Sequence, residues 1–240
     1  MGTLSLWAAW AVHLYTALGS VCGFGAVLAT VKGDYRRAFA WLVVATIIDA
    51  TDGVLARAAN VKERLPGFDG ARLDDIVDYL TYAFAPVVLL WTTGHLPAGA
   101  PGWAVAALPL LASSYQFCRV DAKTSDHFFL GFPSYWNVVA FYAIVLDLAP
   151  ATLAVIVVVC AVLVFVPVRY IYPSRMTVLR GFTLAFTAVW AVTYGVLLVQ
   201  APSPNPWVVA LSLSYLAYYV ALSVFFTLRG RSAQNAQSRG

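Results

Sequence analysis

An all-α integral membrane protein, built as a polytopic bundle of about eight transmembrane helices, is the fold class this sequence predicts. The first observation behind it is composition. Of 240 residues, 61% are hydrophobic and only 11% charged, against about 25% charged in an ordinary soluble domain. The second is the length of the uncharged stretches. Leu4–Val31 and Gly181–Leu228 hold no Asp, Glu, Lys or Arg, and a run of about 18 or more apolar residues reads as a membrane span. The third is the spacing of the breaks between apolar runs.

Taken in order, Lys32–Arg37 ends the first helix, and the polar loop near Asn60–Gly70 ends the second. His95–Gly102 and Arg119–Asp126 close the third and fourth, Asp147–Pro150 the fifth, Arg169–Arg180 the sixth and Ala201–Pro206 the seventh. Each break is rich in the Gly, Pro, Asp or charge that a lipid-exposed helix interior avoids. Helices are therefore expected near residues 17, 47, 84, 110, 140, 160, 190 and 217. Residues 1–229 read as one membrane domain, and 230–240 as a polar, unstructured tail on the cytoplasmic side. Met1–Leu6 has no Lys or Arg, and the apolar run beyond is too long for a secretory signal.

Basic residues set the expected orientation. If the loop after the second helix is cytoplasmic, every Lys and Arg except Lys32, Arg36 and Arg37 lies inside. The positive-inside rule then puts both termini in the cytoplasm. The net charge of +4 comes mostly from these loops; it reads as topology and contact with anionic membrane lipids, and gives no support to nucleic-acid binding. Cys22, Cys118 and Cys160 fall in apolar segments without ligand or pairing spacing, and read as core or lipid-phase residues.

The acids carry more information. Seven of the 11 lie between residues 49 and 78. Asp49 and Asp52 are i, i+3 at one end of the second helix; Asp74 and Asp78 are i, i+4 at the start of the third. Antiparallel neighbours would hold both pairs at one membrane depth. Intramembrane carboxylates are costly and point to function, and convergent ones need cations to stay ionised. Hard oxygen ligands suit Mg²⁺ or Mn²⁺, and four carboxylates suit two ions. Glu63 and Asp69 read instead as loop acids paired with nearby bases.

The segment Asp49-Ala-Thr-Asp52-Gly53-Val-Leu-Ala56-Arg57, followed by Gly70-Ala-Arg-Leu-Asp74-Asp-Ile-Val-Asp78, resembles the signature of the CDP-alcohol phosphotransferase family, D-x-x-D-G-x-x-A-R and then G-x-x-x-D-x-x-x-D. The spacer of twelve residues, Ala58–Asp69, is longer than usual, the form found in bacterial phosphatidylcholine synthases. The chain length, the apparent spans and the segment Gly131–Asn137 look like that group too. The resemblance implies transfer of a phosphatidyl group from CDP-diacylglycerol to choline at the bacterial inner membrane by a homodimer. It implies metal ligation by Asp49, Asp52, Asp74 and Asp78, with Asp78 also as base. Nucleotide contacts are implied at Asp52, Gly53, Ala56, Arg57 and Gly70, with Gly70 letting the chain turn into the third helix. Asp75 misses the family spacing and reads as exposed or Arg-paired.

A quaternary ammonium offers no ordinary hydrogen bond, so aromatic faces are expected around choline. Tyr82, one turn beyond Asp78, and Tyr135 and Trp136 at the start of the fifth helix are the candidates. Arg119 and Arg175 are candidates for the lipid phosphate, with Lys123, Arg169 and Arg180 on the same side. His13, His95 and His127 read as interface residues. Gly19 and Gly23 match GxxxG and read as helix-packing positions. An anionic acceptor would call for an Arg/Lys pocket, and a cation transporter for acids near the midplane.

Overall fold

The computed structural model describes residues 3–124, 126, 128–173, 175, 176 and 178–237. Its helices are α1 (Thr3–Val31), α2 (Tyr35–Ala58), α3 (Val61–Arg64), α4 (Gly70–Asp78), α5 (Ala85–Thr92), α6 (Ala100–Cys118), α7 (Trp136–Val145), α8 (Pro150–Phe165), α9 (Arg180–Gln200) and α10 (Pro206–Gln237). A π-helical segment, Tyr79–Phe84, joins α4 to α5 without a break, so residues 70–92 form one helix. Pro86 explains the widened turn. It cannot donate to the carbonyl four residues back and its ring would clash there, and loosening the helix just before it relieves both problems.

Each helix expected from the sequence has a counterpart. Among the described residues, four segments are long and apolar enough to cross a membrane by length and composition: Ser5–Val31, Tyr35–Ala58, Arg180–Gln200 and Pro206–Gly230. The outer surface agrees with a lipid setting. Leu14, Val21, Phe24 and Leu28 stand exposed along α1, as do Trp103, Val192, Val199 and Trp207 elsewhere, a display that soluble monomers avoid.

Polar side chains start two of the helices. The Asp34 carboxylate accepts from Arg37 N at 2.9 Å at the head of α2. Asp69 accepts from Arg72 N at 3.1 Å at the head of α4, satisfying amides left unpaired at a helix start. The core is aromatic at its centre, where Phe141 and Tyr194 stack with ring centroids 3.5 Å apart.

Loop contacts sort the chain into two ends. Arg36 reaches the carbonyl of Ala201, and His95 Nε2 lies 3.7 Å from Asp147, joining loops assigned to one side. At the other end Lys123 meets Asp74, Arg169 meets Asp126, and Arg64 reaches Ser5 O.

Two expectations need correction. The fold is not purely α: β1 (Phe128–Leu130) pairs antiparallel with β2 (Arg169–Ile171), Phe129 opposite Tyr170. These short aromatic segments lie between helices, where the backbone must find partners outside a helix. The tail is not unstructured as far as Gln237, because α10 continues to that residue through a run that includes the good helix formers Arg, Ala and Gln. Residues 238–240, and the loop residues Ser125 and His127, lie outside the described residues.

α1 is seated directly on the helix that bears Asp74 and Asp78. A Cβ on Gly19 would overlap Val77 Cγ1, and one on Gly23 would touch Thr81 Cγ2 at 3.4 Å. Val77 is β-branched and cannot swing aside. Gly19→Ala should therefore destabilise the protein by about 1–3 kcal/mol, read as a lower melting temperature in detergent. Adding Val77→Ala should restore much of the loss. Gly181→Ala, which meets nothing within 4 Å, should change stability by no more than about 0.5 kcal/mol.

Candidate active site

α2 supplies Asp49 and Asp52 near its end, and α4 supplies Asp74 and Asp78 on one face. Asp49, Asp74 and Asp78, all half-buried, each offer a carboxylate oxygen, and these atoms lie within 4.8 Å of one another. Asp52 stands beside this trio rather than in it. It is buried, and its Oδ2 accepts from Thr16 Oγ1 on α1 at 2.8 Å. Tyr82 donates its hydroxyl to Asp49 Oδ2 at 2.8 Å. Lys123 Nζ, from the loop after α6, lies 3.8 Å from Asp74 Oδ2. Partial burial pulls the Lys123 pKa down, but the charges of Asp74, Asp78 and Asp75 outweigh it and hold the ammonium above its usual range.

Asp78 Oδ1 is buried without a hydrogen-bond partner among the described residues. A buried polar atom left unpaired costs about 1–3 kcal/mol. An orphaned oxygen within a close group of three carboxylates is a donor set that a hard divalent cation fits.

Two cavities flank the acids. The first, of about 940 Å³, is lined by Asp52, Gly53, Ala56, Arg57, Gly70 and Asp74 among others. Arg57 bends back across Gly53, so that a Cβ there would sit 3.4 Å from Nη1. Gly70 stands where the chain turns into α4. It is the first residue of α4, and a Cβ would lie 2.7 Å from His13 Cε1, so its missing side chain makes room for the imidazole. His13 itself lines this cavity, is 6% exposed and leaves Nε2 unpartnered among the described residues.

The second cavity, of about 390 Å³, includes Tyr82 and Tyr135 in its lining, their ring centroids 6.0 Å apart. Trp136 is not there. It is 1% exposed in the core, with Nε1 donating to Ser113 Oγ at 2.8 Å. Of the two candidate phosphate ligands, Arg119 is held by both oxygens of Asp121 at 2.7 and 2.8 Å. Arg175 lies over the Tyr172 ring at 5.5 Å. Asp75 is half-buried and faces the Lys123 charge; Arg72 pairs with Asp69 instead.

Sequence reasoning missed Thr16 and His13, and gave Lys123 no special place. The available signal was the three-residue spacing of His13, Thr16 and Gly19, which puts them on one face of α1. Removing the Thr16 hydroxyl leaves Asp52 free to turn. Thr16→Val should raise the half-saturating concentration of activating metal by about 10-fold or more, while Thr16→Ser should stay close to the parent. Metal titrations of turnover decide it; an unchanged value for Thr16→Val would remove Thr16 from the site.

Comparison with known proteins adds an independent line. The model of the CDP-alcohol phosphatidyltransferase family matches residues 11–168. A phosphatidylcholine synthase of Legionella pneumophila is 42% identical over 228 residues, 92% of this chain and 89% of that protein. The phosphatidylcholine synthase of Pseudomonas aeruginosa is 38% identical over 221 residues, 92% of each chain. That of Borreliella burgdorferi is 34% identical over 234 residues, 97% of this chain and all of the relative. CDP-alcohol phosphotransferases use divalent metals, in keeping with the carboxylate trio. The chain belongs to the CDP-alcohol phosphatidyltransferase family.

Proposed function

We propose that this protein transfers the phosphatidyl group of CDP-diacylglycerol to choline, giving phosphatidylcholine and CMP. The observation that carries the reading is one convergence. Asp52, Gly53, Ala56, Arg57, Gly70 and Asp74 of the family signature line one cavity, whose Asp74 also belongs to the carboxylate trio. The names of the relatives support choline as acceptor.

In this reading Asp49, Asp74 and Asp78, with Asp52 beside them, hold the divalent metal, Mg²⁺ or Mn²⁺ and two ions in all. When bound, such a metal supplies neutralising charge for the carboxylates and for the diphosphate. The nucleotide lies in the larger cavity, where Gly53 and Ala56 leave room for it. Arg57 offers its planar fork to a diphosphate oxygen. Asp78 takes the proton of the choline hydroxyl as that oxygen attacks the phosphatidyl phosphorus and CMP departs. The unpartnered Oδ1 supports this assignment. Lys123 is better sited than Arg119 or Arg175 to meet a lipid phosphate, being the cation beside Asp74. The bundle sits in the inner membrane of a bacterium, with both termini and the acids on the cytoplasmic side, and the protein acts as a homodimer.

Chelation should abolish CMP release from CDP-diacylglycerol, and Mn²⁺ or Mg²⁺ should restore it; full turnover after exhaustive chelation would sink the mechanism. Among a panel of alcohols, choline should give the highest turnover. Asp52→Asn should be inactive yet folded. Asp78→Asn should lower kcat by at least about 10²-fold while nucleotide binding weakens much less. If Asp78→Asn loses nucleotide binding as completely as Asp52→Asn does, Asp78 is a metal ligand only. For orientation, Ser203→Cys should label from outside and Glu63→Cys from the cytoplasm, each in a cysteine-free background. The reverse pattern would put the acids on the wrong face.

A further inference from the structure

The second cavity has a wall that the shared signature does not account for. Six rings follow one another around it, each in contact with the next. Tyr82 meets Tyr135 at 6.0 Å between centroids, Tyr135 meets Tyr219 at 6.3 Å, and Tyr219 meets Tyr215 at 6.5 Å. Tyr215 stacks on Trp190 at 5.2 Å, and Trp190 meets Tyr194 at 5.8 Å. All six line the cavity. Four of them come from α9 and α10, beyond the residues 11–168 that the family model matches.

The polar ends of four of these six rings are already engaged. Tyr82 donates to Asp49, Tyr219 to the carbonyl of Ile171 at 3.2 Å, and Trp190 Nε1 to the Tyr142 hydroxyl at 2.9 Å. The Tyr215 hydroxyl pairs with Thr187 at 2.8 Å. Such tethers fix the rings and use up hydrogen-bonding groups that a polar ligand would need. Among the described lining residues there is no Lys, Arg, Asp or Glu, so an anionic ligand finds no counter-charge. A cation that makes no hydrogen bonds is the ligand such a surface suits, since ring faces attract positive charge. Tyr82 ties the cavity to the acids through its bond to Asp49.

We infer that this six-ring cavity receives the quaternary ammonium group of the acceptor alcohol, with Trp190, Tyr215 and Tyr219 of the last two helices as its specificity-determining wall. The inference rests on the reading that choline is the acceptor. The two ends of the chain then have separate roles. The part common to the family activates the lipid nucleotide, and α9 and α10 select the acceptor.

The test is two-substrate kinetics on the full-length protein in detergent or vesicles. Trp190→Leu and Tyr219→Leu should each raise the choline KM by about 2- to 30-fold, with the KM for CDP-diacylglycerol unchanged. Trp190→Phe and Tyr219→Phe keep a ring and should raise it less, which guards against variants that fail to fold. Tyr218→Phe, outside the cavity, should leave both constants at the parent value. Tetramethylammonium should compete with choline, and its inhibition constant should rise in the same Leu variants. A raised CDP-diacylglycerol KM with an unchanged choline KM would mean that the cavity holds an acyl chain, and would overturn the inference. So would no change in either constant. If the parent protein releases no CMP with choline, the functional reading itself falls and takes this inference with it.

Discussion

Carboxylates brought together inside an apolar bundle repel one another, and the rest of this structure is arranged around that repulsion. Two unit charges 4 Å apart interact by about 4 kcal/mol at an effective dielectric constant of about 20, and Asp49, Asp74 and Asp78 form three such pairs within 4.8 Å. Nothing in helix propensity favours the arrangement. It persists because other elements bring hydrogen-bond donors and a positive charge to it. Tyr82 on the π segment donates to Asp49, Thr16 on α1 donates to Asp52, and Lys123 sets its ammonium near Asp74. Among the described residues, Asp78 is the acid that keeps a buried oxygen without a donor, a gap that a hard divalent cation would fill.

The π segment that Pro86 brings about serves the same centre. An unbroken α-helix through residues 79–84 would advance each side chain by the ordinary turn. Widening it before Pro86 changes the angular relation between Asp78 and the residues beyond. Tyr82 is thereby both a partner of Asp49 and a member of the ring wall. One side chain thus belongs to the acids and to the cavity next to them.

Much of this was legible in the sequence, because membrane helices and acid spacing leave local signals. The breaks at Lys32–Arg37, His95–Gly102 and Ala201–Pro206 mark real helix ends, since lipid tolerates no unpaired backbone. Asp74 and Asp78 share a face by helix geometry alone. What could not be read depended on contacts between distant residues. Thr16 and Asp52 are 36 positions apart, and nothing local to either announces the bond. Trp136 looked like Tyr135 from the sequence, yet neighbouring helix positions point about 100° apart, and one faces Ser113 in the core while the other faces the cavity. The β1–β2 ribbon escaped notice because three-residue strands carry too little alternation to stand out from apolar helix ends.

The contacts along α1 have a mechanical implication. His13 lies against Gly70, Thr16 bonds Asp52, and Gly19 abuts Val77, so three successive steps of one helical stripe engage both acid-bearing helices. Adding or deleting one residue within that stripe turns one side of the helix against the other by about 100° and shifts it about 1.5 Å along the axis. No rigid rotation can then restore all three contacts. The same change nearer the start of α1 would alter only how far the helix projects. The first helix therefore acts as an alignment gauge: its phase, rather than its hydrophobicity, is the property the acidic centre depends on.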